Sequence, residues 1–492
     1  MVDEYGVYIN GEWVDSTGDG FFDVINPANG EVLARFPEGT REDVQNALEA
    51  ARRSFPKWKA TPAAKRGEVL LRAAQILRDR KDELGKLLVR ENGKVIAEAR
   101  GEVQEAIDFF EYIAGEGRRL LGETVATELP EKFAMTVRLP AGIAGLITPW
   151  NFPIAIPSWK IGAAVISGCA VVFKPASGTP ILGAKLVSAL EEAELPAGVL
   201  NMVTGKGSVV GDEIVTNPLV RVISFTGGVD TGTEVYTKGA ARLANVALEL
   251  GGKNPTILME DADQDLAMEG VLFAAFGTAG QRCTACSRLI IHRKIYDEFL
   301  EDLVEETEAL KVGDPLDPSV DVGPVKGSDQ EEKILGYIDV GKEEGGKLRC
   351  GGYKLTGDGY DLGHFIRPTI FEARPEMRIA REEIFGPVLA VLKANNYAEA
   401  VRIANDVQYG LSSSIYTQDL NLAFRAIHDI EAGITYVNAP TIGAEVQLPF
   451  GGVKNTGNGH REAGTTAIDE FTEIKTVYVD YSGRLQKAQI RE

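Results

Sequence analysis

Between residues 141 and 250 the chain repeats one pattern: a short run of β-branched or aliphatic residues, a turn, then a segment of helical length. The runs fall at 143–147, 171–174, 199–203, 220–225 and 246–250. Strands that alternate with helices pair in parallel through right-handed crossovers, and such sheets take ligands at the carboxyl ends of their strands. The pattern predicts an α/β fold and directs attention to the polar residues that follow each run.

The flanking regions read differently. Val7-Tyr-Ile-Asn-Gly-Glu-Trp13 alternates around Asn10-Gly11, a hairpin signal. From 41 to about 118, periodic Ala, Leu and Val with interspersed charges predict long amphipathic helices, for instance over 65–84 and 101–120. The segment 124–139 lacks helical period and ends in Thr136-Val-Arg-Leu139, a strand or hairpin leaving the helical body. After residue 253 a second α/β series follows, with strands at 254–258 and 287–292, helices at 266–276 and 296–310, a turn-rich surface loop at 312–318 and helix again from 330. Near the C-terminus, residues 471–479 alternate as a strand. An uncovered strand edge invites pairing, so this one is expected to complete a sheet with a neighbouring subunit.

Composition narrows the function classes. The 492 residues are 44% hydrophobic, ample for large cores. Lys+Arg 52 against Asp+Glu 72 gives a net charge of −20, which disfavours nucleic acid and anionic membrane as partners. Apolar runs are interrupted well before the eighteen or so residues of a membrane span. Four cysteines are too few for a disulfide framework, and no basic, hydrophobic signal segment opens the sequence, so the cytoplasm is the expected compartment. His292, His364, His428 and His460 show no ligand-like spacing, and no metal is expected.

Three residues carry the candidate chemistry. Cys283 lies in Gly277-Thr-Ala-Gly-Gln-Arg-Cys-Thr-Ala-Cys-Ser-Arg288, where small residues give access and Arg282 and Arg288 are expected to lower the thiol pKa. Taken alone, this segment fits a pair of buried packing cysteines at least as well. Upstream, Glu249 lies at the end of the apolar run 246–250, which is followed immediately by Gly251-Gly252, a suitable place for a general base. Asn151, in Ile147-Thr-Pro-Trp-Asn-Phe-Pro153, ends another and can donate a hydrogen bond to an oxyanion. Cys286 reads as a packing residue, with a resolving thiol as the alternative. For the phosphate loop, Gly205-Lys-Gly207 is a weak match to a dinucleotide fingerprint, and Phe225-Thr-Gly-Gly-Val-Asp-Thr-Gly232 joins strand to helix with unusual spacing; either could be a plain tight turn.

Seven motifs in order, Pro149-Trp-Asn-Phe-Pro153, Lys174-Pro-Ala-Ser177, Phe225-Thr-Gly-Gly228, Glu249-Leu-Gly-Gly-Lys253, Gly280-Gln-Arg-Cys283, Glu383-Ile-Phe-Gly-Pro387 and Pro449-Phe-Gly-Gly-Val-Lys454, resemble the NAD(P)-dependent aldehyde dehydrogenase superfamily over about 8–481. The resemblance implies that family's fold: a Rossmann-type cofactor domain from 1–121 and 141–251, an α/β catalytic domain from 252–448, and a small β arm from 122–140 and 470–492 that joins subunits into a homodimer or a dimer-of-dimers homotetramer. It assigns Cys283 as nucleophile, Glu249 as base and Asn151 as oxyanion donor, with Lys160 and Glu462 relaying the proton. It places the cofactor on Ile147, Thr148, Pro149, Trp150, Lys174, Ala176, Ser177, Gly207, Gly211, Phe225, Thr226, Gly227, Gly228, Gly232 and Leu250, with Glu383 at the nicotinamide ribose, Phe385 at its ring and Gly205 adjacent. A helix cap with a buried aromatic is the plain alternative for the Glu383 segment.

Where NAD-restricted relatives carry a glutamate, Ser177 stands here. That removes repulsion of a 2′-phosphate and leaves Lys174 close to it, so NADP is expected to be preferred, with NAD use still open. The substrate implied is a small aldehyde bearing a carboxylate, as in succinic, 2,5-dioxovalerate or aminoadipic semialdehyde dehydrogenases. Arg282 is its expected anchor, Phe152 and Trp159 apolar walls, and Glu445 lies in the loop at the aldehyde entrance. Three alternatives remain: a CoA-acylating dehydrogenase, against which Glu249 and Trp150 argue; a phosphorylating dehydrogenase, which needs a phosphate subsite that the sequence does not show; and a non-catalytic relative, against which the intact Cys283, Glu249 and Asn151 argue.

Overall fold

A computed structural model describes residues 2–357 and 359–489. The ends of the two outer segments named above, Met1 and 490–492, and the single position 358 lie outside the described residues.

Two seven-stranded sheets organise the chain. The first runs Asn245–Glu249, Val220–Thr226, Ile143–Ile147, Ala170–Lys174, Leu200–Met202, Val7–Ile9, Glu12–Val14. Its first five strands are mutually parallel, and the N-terminal hairpin adds two antiparallel ones. The sequence specifies this directly. All five residues of Ile143–Ile147 and of Ala170–Lys174 are buried, as expected of strands covered by helices on both faces. Asn10 and Gly11 both adopt positive φ, the turn that matches strand twist in a two-residue hairpin.

The second sheet runs Lys347–Cys350, Thr369–Glu372, Val388–Ala394, Cys286–His292, Asn254–Leu258, Ser412–Tyr416, Ile434–Val437, and only its first strand is antiparallel. Between the two sheets the chain uses only the four residues from Leu250 to Lys253. The carboxyl end of one sheet's edge strand therefore lies beside the start of a central strand of the other.

The expected helix over 65–84 is two, Ala63–Asp79 and Lys81–Asn92, broken at Arg80, and the next runs Ile96–Glu116. Arg80 leaves helical geometry at φ −104, ψ 10, so a continuous amphipathic period conceals a bend.

The C-terminal strand departs from expectation. Thr472–Asp480 pairs antiparallel with Lys132–Pro140 of its own chain through nine consecutive partners, with Thr124–Val125 on the far side. An ion pair between Arg138 and Asp469 at 2.5 Å, and the Ala141 N–H donating to the Phe471 carbonyl at 3.0 Å, fix the two at their base. Strand alternation specifies an exposed face, and the intramolecular register meets the pairing demand on one edge.

Candidate active site

The nucleophile candidate is delivered by a strained turn. Thr278, Ala279 and Gly280 take φ of 53, 52 and 67 in succession, a left-handed run that two of them adopt despite carrying a Cβ. Glu98 holds the turn: its carboxylate accepts the Thr278 N–H at 2.9 Å and the Thr278 hydroxyl at 3.0 Å. Emerging from it, Cys283 borders two cavities. One, of about 170 Å³, is lined by Pro149, Trp150, Asn151, Thr226, Gly227, Gly228, Leu250, Glu383 and Phe385 as well as Cys283. The other, of about 110 Å³, is lined by Phe152, Trp159, Glu249, Arg282, Phe450 and Glu462 among others.

The electrostatics around the thiol contradict the sequence expectation. Burial, followed by the Glu383, Glu249 and Glu462 carboxyls, pushes the Cys283 thiol up to about 12. Neither arginine offsets this. Arg282 donates from Nε to Thr278 Oγ1 at 3.0 Å and from Nη2 to Glu98 at 3.1 Å. Arg288 is buried and spends its donors on the carbonyls of Lys253, Ile403 and Ala404 at 2.8–2.9 Å. Their sequence proximity to Cys283 reflects the needs of the turn and of the strand that follows.

Glu249 ends its strand 3% exposed, and neither carboxylate oxygen has a partner among the described residues. Desolvation, then Glu462, holds its carboxyl well above the ordinary glutamate range. The Asn151 side-chain amide donates to the Gln281 carbonyl at 3.2 Å, beside the Cys283 turn. Its backbone is anchored from behind: Lys94 Nζ donates to the Asn151 carbonyl at 3.0 Å and to Glu102 at 2.5 Å. Glu102 in turn accepts the N–H groups of Ile154 and Ala155 at 3.0 and 3.3 Å. Lys160 pairs with Glu462 and donates to the Ser224 hydroxyl at 2.6 Å, while the Thr226 hydroxyl donates to Glu462 at 2.8 Å.

The residues expected around a dinucleotide follow the carboxyl ends of the parallel strands. A cavity of about 550 Å³ lies against Ile147, Gly207, Ser208, Gly211, Phe225 and Val235. The helix Val229–Ala240 opens at Gly228 without a side-chain cap, leaving first-turn amides and a dipole for an anion. The Thr148 hydroxyl and Gln330 Oε1 are buried without partners among the described residues, and Gln330 borders the smaller cavity beyond. Burial lowers Lys174 to about 8; its ammonium donates to the Pro175 carbonyl at 3.2 Å. Next to it, past half-buried Ala176, the Ser177 hydroxyl donates to the Gly205 carbonyl at 3.2 Å. Glu383 accepts the Gly252 N–H at 2.9 Å, and the Phe385 ring stands edge-on to Trp150 with centroids 5.4 Å apart. These residues fit a nicotinamide dinucleotide laid across the strand ends.

Glu445 is not part of either cavity. Gly443, at φ 101, turns the loop so that Gly443 and Ala444 line the Cys283 cavity, while Glu445 is exposed and bonds to Gln447. Sequence reading also missed Glu105, Ile156, Thr284 and Phe450 in that cavity, and Gln330 and Lys333 in the other. Glu98, Glu102 and Glu105 recur at helical spacing among apolar residues, a signal that distinguishes a buried acidic face from a solvated one.

The sequence profile described as the Aldehyde dehydrogenase family matches residues 13–477. The chain belongs to the aldehyde dehydrogenase family. It is 42% identical over 474 residues to an alpha-ketoglutaric semialdehyde dehydrogenase of Bacillus subtilis, covering 96% of this chain and 97% of the relative. It is 43% identical over 484 residues to an alpha-ketoglutarate semialdehyde dehydrogenase of Haloferax volcanii, covering 98% and 100%. The crystal structure of betaine aldehyde dehydrogenase from Staphylococcus aureus in complex with NAD+ superposes with a TM-score of 0.96 at 35% identity, covering 98% of this chain and 95% of that one. Both large sheets and the arm thus belong to an aldehyde dehydrogenase fold, and the enzyme is an NAD(P)-dependent oxidoreductase acting on an aldehyde.

The buried Lys94–Glu102 pair, with both side chains 0% exposed, supports Asn151 from beneath. Glu102→Ala leaves an unpaired buried ammonium and two orphaned N–H groups, and should lower stability by about 3–5 kcal/mol in chemical denaturation, with Tm falling in parallel.

Proposed function

We propose that this aldehyde dehydrogenase oxidises a small aldehyde bearing a carboxylate to the corresponding acid by hydrolysis of a cysteine thioester. The observation that carries the substrate class is Arg282. It borders the cavity that Cys283 and Glu249 share, and among the described residues no acceptor pairs with its Nη1, which leaves one fork of the guanidinium for a substrate carboxylate. Glu105 in the same cavity is pushed up to about 8 by burial and by Glu102, so it is mostly neutral at pH 7 and does not repel an anion. Phe152, Trp159 and Phe450 form apolar walls around the carbon chain. The two semialdehyde dehydrogenases named above, similar over nearly their whole lengths, support this reading.

The chemistry follows from what each group can hold. Burial disfavours the thiolate, so the attack of Cys283 Sγ on the aldehyde carbon is coupled to loss of the thiol proton to Glu249, a carboxylate made more basic by the same burial. The oxyanion of the thiohemiacetal accepts hydrogen bonds from the Asn151 amide and the Cys283 backbone N–H. When bound, the oxidised nicotinamide supplies the hydride acceptor that turns this adduct into a thioester. Glu249 first releases the thiol proton to solvent; as a carboxylate again it takes a proton from water as the water oxygen adds to the thioester carbonyl, and it returns that proton to the departing sulfur, so the acid leaves, thiol and carboxylate are restored, and one proton is released per turnover. Because Glu249 acts only as the carboxylate, activity rises with pH through its raised pKa, and the acid limb of kcat lies above that of an ordinary glutamate.

The cofactor reading extends to NADP preference, supported by Ser177 beside the buried Lys174 ammonium. Division into a cofactor domain, a catalytic domain from residue 252 and an arm is supported by the two seven-stranded sheets and the separate sheet of Thr124–Val125, Lys132–Pro140 and Thr472–Asp480. A homo-oligomer is supported by the open edge of Thr472–Asp480, where Ile474, Tyr478 and Val479 are exposed. Four free thiols fit the cytoplasm.

The test is reduced-cofactor formation at 340 nm with carboxylate-bearing and neutral aldehydes, with NAD or NADP, with and without CoA. A CoA-independent signal is expected; one that requires CoA would contradict the hydrolytic reading. Arg282→Gln should raise KM for a carboxylate-bearing semialdehyde about 10–100-fold, the loss of a charge-assisted hydrogen bond, while KM for propanal changes little. Ser177→Glu should raise KM for NADP about tenfold or more through repulsion of the 2′-phosphate and leave NAD turnover in place.

A further inference from the structure

The cavity that Arg282 borders holds a second polar group with no task in the reaction above. Glu105, on the helix Ile96–Glu116, lines it together with Phe152, Trp159, Arg282 and Cys283. The other acids along this stretch of the helix are engaged. Glu98 holds Thr278 and Arg282, Glu102 pairs with Lys94 at 2.5 Å and accepts two backbone N–H groups, and Asp108 accepts from Gln104 at 2.7 Å. Nothing among the described residues hydrogen-bonds the Glu105 carboxyl; what acts on it is burial, then the charges of Glu102, Lys94, Arg282 and Asp108. Arg282 forms its ion pair with Glu98, at 3.1 Å, and not with Glu105. An unbonded carboxyl and the free Nη1 of a guanidinium therefore border the same space.

That arrangement constrains what an anionic substrate meets. The cavity encloses about 110 Å³, too little to hold two carboxylates apart in water. Two carboxyls that share such a site do not both ionise; they share one proton in a strong O–H···O⁻ hydrogen bond. A carboxylate that reaches Arg282 thus requires Glu105 in its acid form, and that form is a donor rather than a bystander.

We propose that Glu105, as a carboxylic acid, is the second anchor of the substrate carboxylate, its O–H donating to one carboxylate oxygen while Arg282 Nη1 donates to the other. The anchor makes recognition of the anion depend on pH. Burial, then Glu102, raises the Glu105 carboxyl to about 8 against the opposing charges of Lys94 and Arg282. Below that pH the donor is in place before the substrate arrives. Above it, each binding event must first take up a proton from solvent, because an ionised Glu105 repels the anion, so selection for the carboxylate weakens as pH rises through 8. Other titratable groups face the cavity from other elements: Glu249 at the end of its strand, Cys283 after the strained turn, and Glu462 before the C-terminal helix. Lys94, whose Nζ lies 3.7 Å from the Phe152 ring centroid, stays paired with Glu102.

This rests on the carboxylate reading of Arg282, and a matched pair of aldehydes separates the two. The full-length enzyme with saturating cofactor is given 4-oxobutanoate, which carries a carboxylate, and butanal, which does not, and the ratio of their kcat/KM values is followed against pH. Ionisations that both aldehydes require cancel in that ratio. In wild type it should fall about tenfold in favour of butanal between pH 7 and pH 9, the titration of one group near 8 in the free enzyme. Glu105→Gln keeps a donor that does not ionise; its ratio at pH 7 should stay within about threefold of wild type, remain level, and exceed the wild-type ratio at pH 9. Glu105→Leu removes the donor and should lower the ratio about tenfold at pH 7. A wild-type ratio that prefers 4-oxobutanoate equally across this range overturns the proposal without any variant. So does a fall that survives in Glu105→Gln, which would belong to Glu249, Glu462 or Cys283, and so does a Glu105→Leu ratio equal to wild type at pH 7. A wild type that does not favour 4-oxobutanoate over butanal at any pH would instead remove the Arg282 reading, and this inference with it.

Discussion

The site depends on how closely two backbones approach at Gly251-Gly252. A Cβ on Gly251 would sit 2.3 Å from the Glu383 carboxylate, and one on Gly252 would sit 2.4 Å from the Cys283 carbonyl. The second contact is to backbone and cannot be relieved by a rotamer. Two side-chain-free residues let the chain leave the first sheet at Glu249, pass between the Cys283 turn and the Glu383 loop, and enter the second sheet at Asn254. Glu249, Cys283 and the Glu383 carboxylate thereby converge from three separate segments. Gly252 contributes further, since its N–H is the donor that orients Glu383.

Convergence at a dry junction sets the chemistry. Beside Cys283, burial raises the Glu249 and Glu383 carboxyls, while Arg288 is spent on backbone carbonyls and Arg282 is held by Thr278 and Glu98 through Nε and Nη2. A site of this kind does not keep a resting thiolate. It keeps a neutral thiol in one cavity with a carboxyl whose basicity burial has raised, the pairing that the proposed proton transfer requires. The buried cost of those groups is met by hydrogen bonds beneath them, of which the Lys94–Glu102 pair under Asn151 is the most deeply enclosed.

Much of this was legible in the sequence because parallel strands buried on both faces leave uninterrupted apolar runs. Ile143–Ile147 and Asn254–Leu258 occur where the pattern placed them, and 220–225 needed only Thr226 added. The parts that were not legible share one cause. The sequence shows which residues carry charge, and the partner of each charge depends on tertiary contacts. Arg282 read as an activator of Cys283, yet Glu98, 184 positions away, engages it. Glu105 is one of the interspersed charges of a predicted amphipathic helix and lines the Cys283 cavity. Glu445 read as an entrance residue, and one glycine at positive φ turns it outward. For the C-terminal strand, alternation revealed an exposed face but not the identity of the strand beside it.

The central claim is that Glu249 hydrolyses a thioester carried by Cys283. The most direct measurement is rapid mixing of Glu249→Gln with aldehyde and cofactor, followed by mass analysis of the acid-quenched protein. The predicted result is an acylated Cys283 that persists, with steady-state turnover reduced by about a hundredfold or more. Turnover at the wild-type rate, with no acyl group on Cys283 in either protein, would contradict it.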